Sequence, residues 1–546
     1  MGKPHFDTSG VTHGIILVCG GDGNLTNYVQ ENLDGIENYF RSLDHPTTPR
    51  PYKFAVLALA DFLDRDAELH WYSPSDACKW KLGEINTGDP RVIGLFLAGA
   101  LRALAKVAHV TVGFSGHGTG VVDDHDPNAD GTASLSTEES ERRAPTGLPV
   151  HSVGETSADA GGVIGIDVEA TEEVIGLDIE TREAAIGIDD RPVTDAAALD
   201  RLEKILRGGE GSEQPPGRTL HARKKTTVED DKPVTDPAVF GRVEELLPIG
   251  EGAAQPPDST FQTASDAHGV DARRDWLTTV EVAEVLDVAR EHIRPTAKVD
   301  LLFFDSCFNG MVEVAYQCRT FADVFIGSMN KEPKALWDYS EWLRWMEEAP
   351  PESADAWAGQ ALRAFEVAVL EARPQLPDKA RLTRTLTAVK LERIDDVVRA
   401  FKTLVTSFSP ERTSSERPPS WSVVLSALGK AQNYGNSSIR DVVDFACQLD
   451  NELAKLGGCE VSCQAVRDSC RELKRAVSQA LVSPAPMIVV EPGHHTLDGR
   501  RVHGLSFWGP VDECSFRKDR SSYAGLEFEY ETRWCDYLKP YLDLPC

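Results

Sequence analysis

Long apolar runs are missing from this 546-residue sequence. Runs such as "LLFF" at 301–304 and "MIVV" at 487–490 fall far short of the roughly 20 residues a membrane-spanning helix needs. The opening stretch, "MGKPHFDTSGVTHG", has no apolar run leading to a small-residue cleavage site. No secretory leader is therefore expected. Thr8 lies outside the window that would support lipidation of Gly2. The expected compartment is the cytoplasm, with no membrane partner. Cysteine is sparse as well: eleven residues, an odd number, with no framework spacing. That pattern excludes a disulfide scaffold and suits reduced thiols. Positive charge is short, with 57 Lys and Arg against 87 Asp and Glu. The net charge of −30 opposes nucleic acid and anionic membranes. Against these absences, a 41% hydrophobic and 26% charged composition is that of an ordinary globular chain. Its length suits two or three domain-sized units, with a core that needs neither metals nor disulfides.

Strand-like and helix-like segments alternate along much of the chain. Residues 14–19, 67–74, 109–114, 299–304 and 323–328 read as buried strands. Helical periodicity falls at 25–42, 90–106, 278–293 and 310–320. This alternation predicts a mostly parallel sheet covered on both faces. Residues 336–480 read as mainly helical, with further strands at 385–390, 487–491 and 503–509.

One segment departs from this pattern. Residues 121–275 hold roughly 34 acidic and 15 basic side chains, about −19 of the total charge. A short repeat ("GVIGIDVEATE", "EVIGLDIETRE", "AAIGIDDRPVT") is followed by a longer duplication. "DDRPVTDAAALDRLEKIL…GEGSEQPP" (189–216) recurs as "DDKPVTDPAVFGRVEELL…GEGAAQPP" (230–257). Each copy has a helix start, one helix and a Gly/Pro-rich exit. The expectation is two small helical modules looped out of the main domain, with a solvated linker as the open alternative. The predicted boundaries are 1–120, an acidic insert 121–275, 276–335, and a C-terminal region 336–546.

Two strand ends carry chemistry, "GFSGHGTG" (113–120) and "FFDSCFNG" (303–310). In open α/β sheets ligands gather beyond the carboxyl ends of strands. One end offers the His117 imidazole between Gly116 and Gly118. The other offers the Cys307 thiol two residues after Asp305. Cysteine needs little activation to act as a nucleophile, and a nearby imidazole can move its proton. Glycine beside the histidine lets backbone amides approach a developing oxyanion. A carboxylate on the cleft floor would suit an arginine or lysine of the substrate. Taken singly, each has a plainer reading: a buried small thiol, a turn histidine, a helix N-cap.

With these residues in view, the sequence resembles the clostripain-type cysteine peptidases, relatives of caspases, gingipains and legumains. "SGHG" and "FFDSCFNGMVEVAYQ" carry the resemblance. "GIILVCGGDGNLTNYVQENLDGIENY", "GSMNKEPKALWDYSEWL", "TLTAVKLERIDDVVRAF" and "HGLSFWGP" extend it. The resemblance implies a caspase-haemoglobinase α/β/α sandwich. It implies His117 and Cys307 as the catalytic pair and backbone amides of Gly118 and Cys307 as the oxyanion hole. It places Asp305 as the acid that selects Arg, or Lys, before the scissile bond. Departures are Ser306 between acid and nucleophile, "FNG" after it, and the acidic insert between histidine and cysteine.

The chemistry implied needs no cofactor. Calcium is the one candidate ion, because Asp124, Asp126, Asn128 and Asp130 have the alternate-oxygen spacing of an EF-hand-like loop, closed by Gly131. The twelfth position of that loop is Thr137, so a solvated Asp-rich turn stays open as the alternative. Cys459, Cys463 and Cys470 supply three ligands and no neighbouring histidine, and read as plain thiols. Basic doublets in the insert (Arg142-Arg143, Arg223-Lys224-Lys225, Arg273-Arg274) are candidate sites for self-cleavage or for cleavage by an activating protease. The expected partners are protein substrates with Arg or Lys at the cut. By analogy, a latent cytosolic peptidase of this kind suits a signalling or defence cascade. Two rivals stand beside it: an inactive caspase-like scaffold whose duplicated insert binds partners, and a thiol hydrolase for small molecules.

Overall fold

In chain order, the strands of the two larger sheets in the computed structural model of the protein are β1 His13–Gly21, β2 Phe54–Phe62, β3 Ala67–Tyr72, β4 Ala77–Gly83, β5 His109–Ser115, β6 Val299–Asp305, β7 Ala322–Gly327, β8 Arg384–Lys390, β9 Asn433–Tyr434, β10 Asn436–Asp441, β11 Met487–Val489 and β12 Ser506–Trp508. A two-residue ladder also joins Phe261–Gln262 to Trp276–Leu277. The structure describes residues 6–21, 25–42, 54–62, 65–116, 121, 196–207, 261–262, 276–290, 298–331, 337–348, 352–372, 384–408, 421–456, 460–482, 487–489 and 501–542.

Nine strands share one sheet, in the order β11-β8-β7-β6-β5-β1-β2-β3-β4. The run from β7 to β2 is parallel, and antiparallel strands close both flanks. Strands such as β2 ("FAVLALADF") are buried along their whole length, the expected state for a strand covered on two faces. The covering helices are α1 Thr26–Ser42, α2 Pro90–Ala103, α3 Ala196–Leu206, α4 Thr279–Arg290, α5 Val312–Gln317, α6 Tyr339–Glu348 and α7 Ala354–Ala372. Alternating side chains of β6 divide between two cores. Leu301 and Phe303 join α1, α6 and α7, while Leu302 and Phe304 join α2, α4, α5 and the C-terminal helices. The result is a mixed α/β/α sandwich followed by a mainly helical C-terminal region, whose second sheet is β9-β10-β12.

Helix α3 corrects one expectation. It belongs to the first copy of the duplication, predicted to loop out of the main domain. Instead Ala198, Leu202, Ile205 and Leu206 are buried against the body of the fold. Arg201 Nη1 donates to Leu82 O at 2.5 Å. The side chain of Leu206 fills the space beside Gly99 of α2, where an added Cβ would meet it at 2.8 Å. The apolar face of the helix, with residues spaced three and four apart, accounts for this docking. The corresponding helix of the second copy lies outside the described residues. The compact unit comprises residues 1–123 and 193–546, so it takes in part of the predicted insert.

Candidate active site

The carboxyl ends of β5 and β6 meet in register. Ser115 pairs with Asp305, and Gly116 N donates to Asp305 O at 3.2 Å. The chain then turns out of β6 through Ser306, Cys307 and Phe308. Cys307 is half-buried at this turn. Several other described thiols are locked in the core: burial pushes Cys19 and Cys318 well above the usual thiol range, and Cys470 and Cys535 up to about 12. Those sulfurs are protonated and packed, in contrast to the partly exposed thiol at the strand tip.

The turn is held from several sides. Phe308 sits at φ 57°, a left-handed conformation that is uncommon for a bulky aromatic. Its cost of roughly 1–2 kcal/mol is offset by a buried ring and by its amide, which donates to Asn330 O at 3.2 Å. Asn309 is fully buried and its amide nitrogen donates to Ser306 Oγ at 2.6 Å and to Cys307 O at 3.2 Å. Gly310 N donates to Ser328 O at 2.6 Å. Backbone lies so close to backbone here that a Cβ on Gly310 would sit 2.8 Å from Met329 N, and one on Gly327 would sit 2.8 Å from Asn309 C. Only glycine permits that approach.

The sequence places Asp305 on the cleft floor. Its carboxylate is 5% exposed and faces the α1/α6 side of the sheet. Three hydroxyls converge on its Oδ2: Tyr28 of α1 at 2.8 Å, Ser115 of β5 at 2.9 Å and Tyr339 of α6 at 2.9 Å. Oδ1 takes no part in this cluster. Burial pushes the carboxyl up to about 6, against the pull of the three hydroxyl bonds. The plainer helix-cap reading falls away, because the N-cap of α5 is Met311 and has no side-chain cap bond. Sequence reasoning missed the hydroxyl ring. Tyr28 and Tyr339 both lie in segments quoted for the resemblance, but nothing local marks them as partners of an acid 277 and 34 residues away.

His117 and Gly118 lie outside the described residues, and His117 follows Gly116 directly in the chain. So do the loop residues Asp124, Asp126, Asn128 and Asp130 and the basic sites Arg142, Arg143, Arg223, Lys224, Lys225, Arg273 and Arg274. Among the described residues, no group of three or more His, Cys, Asp or Glu is placed to hold a metal ion. Cys463 and Cys470 are buried, as plain core thiols are. No described helix is long and apolar enough to cross a membrane.

The model of the clostripain family matches residues 251–541, more than half of the chain. The chain belongs to the clostripain family. It is accordingly a cysteine-type peptidase, with protein substrates. Among solved structures it is similar to a secreted cysteine protease from Bacteroides thetaiotaomicron bound to an irreversible peptide inhibitor. That pair is 11% identical over 96% of this chain and 99% of the other, at a TM-score of 0.48. An inactive zymogen protease from Parabacteroides distasonis is 12% identical, over 96% and 98%, at 0.47. A cysteine protease from B. fragilis is 17% identical, over 49% of this chain and 98% of its own, at 0.34. No curated protein sequence matches the chain significantly.

Proposed function

We propose that this clostripain-family chain is an endopeptidase that cuts proteins after arginine, and secondarily lysine, with Cys307 as nucleophile and His117 as its acid–base partner. One observation carries the reading: a half-buried thiol leaves the tip of β6 where Gly116, one residue before His117, bonds to Asp305 O at 3.2 Å. The Cys307 sulfur attacks the scissile carbonyl, and the amides of Gly118 and Cys307 hold the oxyanion. The imidazole protonates the leaving amine, and water then releases the acyl group from sulfur. Asp305 supplies the negative charge for the substrate cation, its Oδ2 fixed by three hydroxyls and Oδ1 left out of that cluster. Such fixed orientation favours a charge-assisted contact.

In the same proposal the chain is latent until its acidic insert is cut at the basic sites, by itself or by another protease. It works in the cytoplasm, in a signalling or defence cascade, and the Asp124–Asp130 loop takes calcium. The rival reading, a scaffold that recruits partners through both insert copies, is weakened at the first copy, where α3 packs on the chain's own α2 and β4.

An arginine chloromethylketone tests the assignment. Mass spectrometry should place the label on Cys307 in the wild type. Labelling and turnover of an arginine peptide should fall by about a thousandfold in Cys307→Ala and His117→Ala. Absence of selective labelling, before and after limited proteolysis of the insert, would remove the peptidase assignment for Cys307.

A further inference from the structure

Six residues beyond Cys307, α5 carries an acid with no exposed surface, Glu313. Its Oε1 accepts the backbone amide of Trp508 at 2.8 Å and the hydroxyl of Tyr523 at 3.1 Å. Its Oε2 is buried with no hydrogen-bond partner among the described residues. Leaving a buried carboxylate oxygen unpaired is costly, so a purely structural role would be filled better by an apolar side chain.

The partner strand explains what the acid does. β12 is only three residues long, yet it lies on the segment that follows the thiol. Ser506 N and Oγ both donate to Gly310 O, at 3.0 and 3.1 Å, and Ser506 bridges to Met311. Two residues on, Trp508 reaches Glu313. Its indole donates to Asp519 Oδ2 at 3.0 Å, its carbonyl accepts Trp534 Nε1 at 2.7 Å, and its ring packs 4.3 Å from that of Tyr523. The C-terminal region thus grips the thiol-bearing segment at two points, Gly310 and Glu313. A helix of six residues has little stability of its own and takes its orientation from such anchors.

We propose that Glu313 is a positioning residue: by accepting the amide of Trp508 it locks β12 onto residues 310–313 and so sets the direction in which the Cys307 side chain points. This deepens the peptidase reading and rests on it for the role of the thiol. Accepting a hydrogen bond needs no charge, and burial pushes the Glu313 carboxyl up to about 7, toward its neutral form. An uncharged acceptor of the same shape should replace it.

The test compares the wild type with Glu313→Gln, Glu313→Leu and Tyr523→Phe, each made full-length and then cut in the insert by the same added protease. Three quantities are read: the thermal midpoint, kcat and KM on an arginine peptide, and the rate at which iodoacetamide alkylates Cys307, located by mass spectrometry. Glu313→Gln keeps the acceptor and should hold kcat within about twofold. Glu313→Leu should lower kcat and the alkylation rate by about tenfold or more, with KM nearly unchanged. Tyr523→Phe removes one donor, keeps the ring and should give a fall of about threefold in both rates. It keeps the proposal open to refutation if Glu313→Leu does not fold: unchanged kcat and alkylation in Tyr523→Phe would then overturn it. Equal rates in the wild type and Glu313→Leu, or equal losses in Gln and Leu, would also overturn it. A wild type inert to the arginine reagent, before and after proteolysis of the insert, would overturn the arginine-peptidase role of Cys307 alone, because the iodoacetamide comparison needs no substrate.

Discussion

The two ends of the central sheet each hold a hydrogen-bonded acid, half-buried at one end and buried at the other, and they use it differently. At the amino end, Asp300 of β6 accepts the amide of Val110 at 2.9 Å and His109 Nδ1 at 2.8 Å. His109 stacks on His13 with ring centroids 4.7 Å apart, and Trp357 of α7 closes over both. Acid and imidazole here satisfy each other. At the carboxyl end of the same strand, Asp305 is bound by hydroxyls alone, next to a left-handed Phe308 and a half-buried thiol. An imidazole beside a carboxylate is therefore no sign of chemistry in this fold. What marks the carboxyl end is backbone strain and a tightly packed turn beside a thiol, features that concentrate at functional sites.

The sharpest way to break this comparison is to neutralise both acids. Asp305→Asn should lower kcat/KM for an arginine peptide by about a hundredfold. Asp300→Asn should leave turnover within about twofold and cost about 1–2 kcal/mol of stability from weakened hydrogen bonds. Equal losses of turnover in the two variants would erase the functional distinction between the ends.

A smaller effect follows from pH. The Asp305 carboxyl, pushed up to about 6, is ionised above that pH and neutral below it. The ratio of kcat/KM for an arginine peptide to that for its uncharged citrulline analogue cancels changes in the nucleophile itself. That ratio should fall by about tenfold as the pH drops from 7 to 5 and stay flat in Asp305→Asn. A wild-type ratio without this step would separate Asp305 from the substrate cation.

At the amino end the expected effect falls on stability and not on turnover. His13 is buried and its imidazole is held down to about 4, by burial first and then by His109. The unfolded chain takes up the proton near 6.5. The stability this group contributes is therefore complete above 6.5 and lost as the pH falls toward 4. Thermal unfolding of the wild type and of His13→Phe should diverge over that window by about 3 kcal/mol, with the variant less sensitive to acid. Parallel curves would mean that His13 is not held neutral by its surroundings.

Much of the sheet was legible because its strands are short apolar runs at regular distances. β1, β5, β6 and β7 lie within a residue or two of their predicted positions. β2 and β4 are not among the predicted strands. β2 opens on seven consecutive apolar residues, 54–60, with no alternation to separate strand from helix. β4 ("ACKWKLG") alternates, but it sits on the sheet's edge and carries two lysines. The docking of α3 was hidden for a related reason. A short amphipathic helix in an acidic segment reads equally well as a free module, and only the space beside Gly99 shows where it belongs.

By itself the sequence determined the alternation of strands and helices, the family, and which thiol and carboxylate stand at a strand's mouth, because each of these is written in local spacing. Only the tertiary structure decided that Tyr28, Ser115 and Tyr339 gather on Asp305, that β12 is fastened to Glu313, and that α3 lies inside the compact unit. Hydrogen-bond partners as far as 277 residues apart in the chain are chosen by which side chains share a buried space, and that choice leaves no periodic trace in the sequence.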